Sequence, residues 1–228
     1  MAWEREIKLA LTGEEARTLA RRLGPPFAVR QQRNHYFDTL AGELRQRQHG
    51  LRLREEEATG FTVTLKGPSQ IQDGVTVRRE DERAVTAEEA RHWLAAGATL
   101  REIGLPLREE LIGIGGDARV CCLGMLANER RSFQVRAPHV EPGEAASVPG
   151  GDRASDAPRG VEFVLEIDRS VHADGTVEWE LEVELDDEAA AAVRAGLQAW
   201  LAHADVPWRP QTRGKFRRFL EHAGIVNG

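Results

Sequence analysis

The stretch TVEWELEVEL at residues 176–185 alternates carboxylate and apolar side chains without a break. Successive side chains of a strand point to opposite faces, so Glu178, Glu180, Glu182 and Glu184 share one face, and Val177, Trp179, Leu181, Val183 and Leu185 share the other. Four like charges in a row repel one another. Either water screens them on an outer face, or they face inward toward opposite charges and a ligand. One strand does not choose between these arrangements.

The pattern recurs along the chain. In WEREIKLAL at 3–11, Glu4, Glu6 and Lys8 lie opposite Arg5, Ile7 and Leu9. In LRLREEE at 51–57, Arg52 and Arg54 oppose Leu51 and Leu53; in FTVTLKG at 61–67, Lys66 joins Thr62 and Thr64 opposite Val63 and Leu65. GVTVRREDE at 74–82 aligns Arg78, Glu80 and Glu82, and VEFVLEIDRS at 161–170 aligns Glu162, Val164, Glu166 and Asp168. An ordinary small barrel fills its interior with apolar side chains. Here the apolar faces could pack against external helices and leave a polar interior, although periodicity alone does not tell inside from outside. A polyphosphate accounts for both signs of charge, because Lys and Arg match its oxygens and carboxylates hold the hard divalent cations that accompany it.

The remaining segments supply the cover. Thr12 with Glu15, and Thr86 with Glu89, have capping-box spacing; Ala16, Leu19, Ala20 and Leu23 follow the first, and Ala90, Trp93 and Leu94 the second. Residues 186–204 predict a third helix with Val193, Leu197, Trp200 and Leu201 on one face. NHYFDT at 34–39 and RRSFQV at 130–135 read as extended. Residues 107–115 and 118–126 fit helix or strand, as does GKFRRFL at 214–220, and 138–160 reads as a long loop. Many short strands with about three helices predict an α+β domain, mainly β, spanning 1–228: one closed or nearly closed antiparallel sheet with helices outside it.

Composition narrows the function. The 228 residues are 41% hydrophobic and 30% charged, with a formal net charge of −6, so there is no bulk basic footprint for nucleic acid. No apolar stretch reaches membrane-span length and no signal segment follows the start, which predicts a cytoplasmic location without membrane attachment. Cys121 and Cys122 are adjacent and make neither a disulfide framework nor a zinc pair. No GxxxxGK[ST] loop is present, and GIGGDAR at 113–119 reads as a turn. His35, His49, His92, His139, His172, His203 and His222 show no ligand spacing and read as structural or surface groups. Trp3 and Trp208 are the tryptophans placed where a substrate's organic end could meet them, with packing the ordinary reading of each.

The opening Glu4-x-Glu6-x-Lys8 resembles the ExExK strand of the CYTH superfamily, the triphosphate tunnel metalloenzymes. YFDT at 36–39, LRLR at 51–54, TLKGP at 64–68, RRE at 78–80, LEID at 165–168, ELEVE at 180–184 and GKF at 214–216 follow in the same order. The resemblance implies a closed eight-stranded antiparallel β-barrel forming a tunnel, with triphosphate as the small-molecule partner and Mg²⁺ or Mn²⁺ as cofactor. It places Lys8, Arg52, Arg54, Lys66, Arg130 and Lys215 on the phosphates as catalytic and binding groups, and Glu4, Glu6, Glu80, Glu82, Asp168, Glu180 and Glu182 on the metal side. Arg131 is the alternative to Arg130, which is preferred because Phe133 stands three positions after it, as the family pattern has it. Gly214 replaces the serine often found before the late lysine. The activities implied are triphosphate hydrolysis, with inorganic tripolyphosphate the simplest substrate, or the cyclisation of class IV adenylyl cyclases; a non-catalytic polyphosphate- or nucleotide-binding module is the third reading. An outer barrel face left bare by the helices would allow a homodimer.

Overall fold

The computed structural model describes residues 2–106, 111, 113–137, 160–186 and 189–225. Apart from Gly160, the loop expected over 138–160 lies outside the described residues, as do 107–110 and 112 of the segment left ambiguous.

Ten strands and six helices are described: β1 (Ala2–Leu11), α1 (Gly13–Leu23), β2 (Ala28–Thr39), α2 (Glu43–Gln46), β3 (Gly50–Glu56), β4 (Gly60–Lys66), β5 (Gln70–Gln72), β6 (Val75–Val85), α3 (Ala87–Ala96), β7 (Ala98–Thr99), α4 (Leu100–Ile103), β8 (Arg119–Ala137), β9 (Val161–Val171), β10 (Val177–Glu184), α5 (Ala190–His203) and α6 (Lys215–His222). Eight strands close on themselves in the order β1-β10-β9-β8-β2-β3-β4-β6, and β6 returns to β1. Every pairing is antiparallel. The expected closed eight-stranded antiparallel barrel with flanking helices is what the chain forms. β5 and β7 are short additions paired to β6 and β8.

Both expected capping boxes are present: the Thr12 and Thr86 hydroxyls accept from the backbone N–H of Glu15 and Glu89, and each glutamate accepts in return from its threonine N–H. A third opens α4, at Thr99 and Glu102. The ambiguous stretch before RRSFQV is strand, continuous with it through 19 residues of β8. GKFRRFL resolves as helix α6, which, with the single turns α2 and α4, raises the helix count above the expected three.

The apolar faces of the strands point outward. Ile7, Leu9, Phe133, Leu165, Ile167, Leu181 and Val183 form one core with Ala16 and Leu19 of α1 and with Val193, Leu197 and Leu201 of α5. Leu51, Leu53, Val63 and Leu65 form a second with Ala90 and Trp93 of α3 and with Leu100 and Ile103 of α4. With both outer cores covered, alternation turns the charged face of each strand into the barrel.

A third cluster lies on the inner face. Tyr36 and Leu126 pack against Phe219 and Leu220 of α6, with Phe216 beside them. Two glycines make room for it. A Cβ on Gly50 would stand 3.2 Å from Phe216, and one on Gly124 3.0 Å from Phe219. Gly124 has φ 149°, beside a register shift at Tyr36/Phe37 that leaves Leu123 as the extra residue of β8. The C-terminal helix therefore seats inside the barrel wall and carries Lys215 and Arg218 with it.

Candidate active site

The barrel lining gathers charges from seven strands and α6. On β9 and β10, Asp168, Glu180 and Glu182 are all buried, and each offers a carboxylate oxygen within 4.8 Å of the others. Four cations neutralise them. Lys8 donates to Glu182 at 2.7 Å, and Lys215 reaches Asp168 at 2.6 Å, Glu182 at 2.8 Å and Glu180. Arg130 grips Asp168 with two parallel bonds, 2.9 and 2.7 Å, and also meets Glu166 and Glu182. Arg218 donates to Glu180 at 2.8 Å.

Burial alone would raise these carboxyls. For Asp168, Lys215 and Arg130 outweigh it, and for Glu182, Lys215, Lys8 and Arg130 do, so both stay below the ordinary range. Burial likewise opposes the charge on Lys215, but Asp168, Glu180 and Glu182 raise its pKa. All-oxygen carboxylate donors without imidazole or thiolate fit Mg²⁺ or Mn²⁺. The lysine ammonium groups already at these oxygens show that the cluster accepts positive charge.

A second group lies toward the start of β1. Glu4 accepts from Lys66 at 2.9 Å and from Arg78 at 2.5 Å, and Arg78 continues to Glu6 at 2.8 Å. Lys66 also meets Glu80 at 2.8 Å, and Lys8 lies 3.1 Å from Glu6. Burial, then Arg78, pushes Lys66 down to about 8, despite the pull of Glu4 and Glu80.

The third group, on β3, is cationic and only partly neutralised. Arg52 donates to the Thr64 hydroxyl at 3.2 Å, and its buried Nε has no hydrogen-bond partner among the described residues. Arg54 donates to Asn34 at 3.1 Å and lies 3.6 Å from Glu56. Burial, then Arg52 and Arg130, pushes Arg54 down to about 10. Two guanidinium groups side by side, with Glu56 paired to only one of them, are arranged to receive an anion.

The structure thus brings together Glu4, Glu6, Lys8, Arg52, Arg54, Lys66, Glu80, Arg130, Asp168, Glu180, Glu182 and Lys215. Two expected residues stand apart. Glu82 is exposed and outside the ion-pair network, although it alternates onto the inner face. Arg131 points outward, 2.8 Å from Glu129 and 41% exposed, because neighbouring strand residues face opposite ways; Arg130 is the tunnel residue. Trp3 is 63% exposed under the Arg79 guanidinium, and Trp208 packs against the outer core, so neither joins the lining. Arg78, Glu166 and Arg218 complete the network without having been assigned a role. The first two stood in charged rows already visible, whereas Arg218 emerges only when 215–222 is read as a helix that puts Lys215 and Arg218 on one side.

The CYTH domain family matches residues 2–202. The chain belongs to the CYTH family. No curated protein matches the chain. Among solved structures, a candidate adenylyl cyclase from Hippeastrum, described as having a dominant triphosphatase activity, is 22% identical with a TM-score of 0.71, over 98% of this chain and 97% of that one. A candidate adenylate cyclase from Bacillus halodurans is 22% identical at TM-score 0.61, over 96% and 99%. A protein from Pyrococcus horikoshii OT3 is 15% identical at 0.57, over 96% and 98%. These likenesses share the fold. Among the described residues, no helix is long and apolar enough to cross a membrane.

Proposed function

We propose that the chain hydrolyses a linear triphosphate, with inorganic tripolyphosphate the simplest substrate, and releases orthophosphate. The observation that carries this reading is Arg52: a guanidinium inside the barrel whose Nε is buried without a hydrogen-bond partner among the described residues, next to Arg54 on β3 and across from Thr64, two residues before Lys66, on the neighbouring strand. Bridging and non-bridging phosphate oxygens supply the acceptors this wall is missing.

Arg52, Arg54 and Lys66 hold the chain of phosphates extended along β3 and β4. Lys8, Arg130 and Lys215 turn from carboxylate to phosphate oxygens as the substrate enters, which frees Asp168, Glu180 and Glu182 to hold Mg²⁺ or Mn²⁺. The divalent ion, when bound, supplies charge neutralisation of the phosphate oxygens and Lewis-acid polarisation. Glu80, 2.8 Å from Lys66, orients the attacking water beside the terminal phosphate. The dominant triphosphatase activity described for the Hippeastrum protein supports the same choice of chemistry.

Product-resolved turnover with Mg²⁺ or Mn²⁺ on tripolyphosphate, thiamine triphosphate and ATP tests this. Orthophosphate release is the expected result, and its rates rank the substrates. Cyclic nucleotide with pyrophosphate would reassign the chain to cyclisation, and tight binding without product would make it a binding module.

A further inference from the structure

The hairpin between β9 and β10 and the last residue of α6 bring His172, Glu178 and His222 together, outside the grip described above. Each offers one ligand atom, and the three atoms lie within 4.8 Å of one another. His172 Nε2 is 2.9 Å from Glu178 Oε2, and His222 Nε2 is 3.6 Å from Glu178 Oε1. The two imidazole rings overlap with centroids 3.9 Å apart. The His172 side chain is 1% exposed, and its Nδ1 has no hydrogen-bond partner among the described residues.

This donor set differs in kind from the tunnel's. Two imidazoles and one carboxylate match Zn²⁺ and similar borderline ions, whereas the tunnel cluster is all oxygen. The neighbours orient the ligands. Asp174 accepts from His222 Nδ1 at 2.9 Å and is itself fixed by the Thr176 N–H, also at 2.9 Å. That fixes the His222 tautomer and leaves Nε2 as the ligand atom, the role of an outer carboxylate at a metal-bound histidine. Arg218 lies 2.8 Å from Glu178 Oε2, which leaves Oε1 turned toward His222. Tetrahedral ligand atoms about 2.0–2.2 Å from an ion stand about 3.4 Å apart. Half-buried His222, at a helix end, closes that difference by side-chain rotation.

We propose that His172, Glu178 and His222 bind one Zn²⁺-class ion, with water completing the tetrahedron, and that this ion fastens the C-terminal helix to the β9–β10 hairpin. The helix carries Lys215 and Arg218 into the barrel, so the ion fixes the position of both. A bound ion would take the His172 Nε2 lone pair, so the ring proton shared there with Glu178 moves to Nδ1.

The test is Co²⁺ titration of the full chain, with Mg²⁺ in excess to occupy carboxylate sites, followed by visible absorption and by thermal unfolding. One equivalent of Co²⁺ giving four-coordinate absorption, displaced by Zn²⁺, and a rise in Tm with Zn²⁺ are the expected results. His222→Gln, on the outer side of the cluster, should abolish the absorption, and Asp174→Asn should weaken Co²⁺ binding about 10–100-fold. Absence of four-coordinate absorption in the wild type, or the same absorption in H222Q, overturns the proposal.

Discussion

Arg52 faces Thr64 across the β3–β4 ladder and donates to its hydroxyl at 3.2 Å, while its buried Nε goes without a partner among the described residues. Arg130, in the same barrel, has the opposite surroundings: Asp168, Glu166 and Glu182 all converge on it. Substituting the two should therefore have opposite consequences. Arg52→Met removes a half-buried charge without orphaning a carboxylate, so its urea midpoint should match or exceed the wild type. Arg130→Met leaves three carboxylates facing one another and should lose about 3–5 kcal/mol. Equal losses in both would contradict this difference between a cation with few carboxylate partners and one held by three.

A barrel with a cationic wall that is only partly neutralised should be stabilised by the anion alone. With divalent ions chelated, tripolyphosphate at about 100 times its Kd should stabilise the wild type by about 2.7 kcal/mol, seen as a rise in Tm. Arg52→Met should show a smaller rise at the same concentration. An unchanged wild-type Tm would show that the wall does not bind phosphates.

The C-terminal helix positions Lys215 through its fit against Gly124, where a Cβ would meet Phe219 at 3.0 Å and φ is 149°. Gly124→Val should cost about 1–3 kcal/mol by overpacking and strain. It should also lower turnover, because displaced Phe219 carries Lys215 away from Asp168. A G124V protein with wild-type stability and turnover would show that α6 does not depend on this contact.

The three capping boxes predict a pH dependence of stability. Glu15, Glu89 and Glu102 accept from the backbone N–H of Thr12, Thr86 and Thr99 at 2.7, 2.9 and 2.6 Å. For Glu15 burial works against the hydrogen bonds and is outweighed; for Glu89 and Glu102 the hydrogen bonds lead, and all three carboxyls sit below 4.5. Their contribution is present above the unfolded value and is lost as pH falls through the lower folded one. Glutamine keeps an acceptor but does not titrate. The E15Q/E89Q/E102Q triple variant should lose less of its urea midpoint than wild type between about pH 6 and about pH 3.5. Identical losses would contradict the assignment.

Much of this barrel is readable in period-2 alternation, because strands such as β1, β3, β4 and β10 carry charge on one face and Leu, Ile or Val on the other. Which face is inner is not, since alternation is symmetric; it is decided by where α1, α3 and α5 bury their stripes. Residues 30–33 of β2 are an unbroken polar run, and β5 is three exposed residues, so neither stood out. KFRRFLEH fits both periods, and only its docking against Tyr36 and Leu126 shows it to be a helix inside the wall. Glu82 followed the correct alternation into an exposed position. His172 and His222, far apart in sequence, meet only because α6 folds back onto the β9–β10 hairpin.

The central claim is that the Arg52 side of the barrel grips a triphosphate during its hydrolysis. Orthophosphate release from tripolyphosphate with Mg²⁺, measured side by side for wild type and folded Arg52→Met, tests it most directly. The account predicts wild-type turnover and a fall of about 10²–10³-fold in the variant, as when one transition-state donor is removed. Undiminished turnover in folded R52M would contradict it.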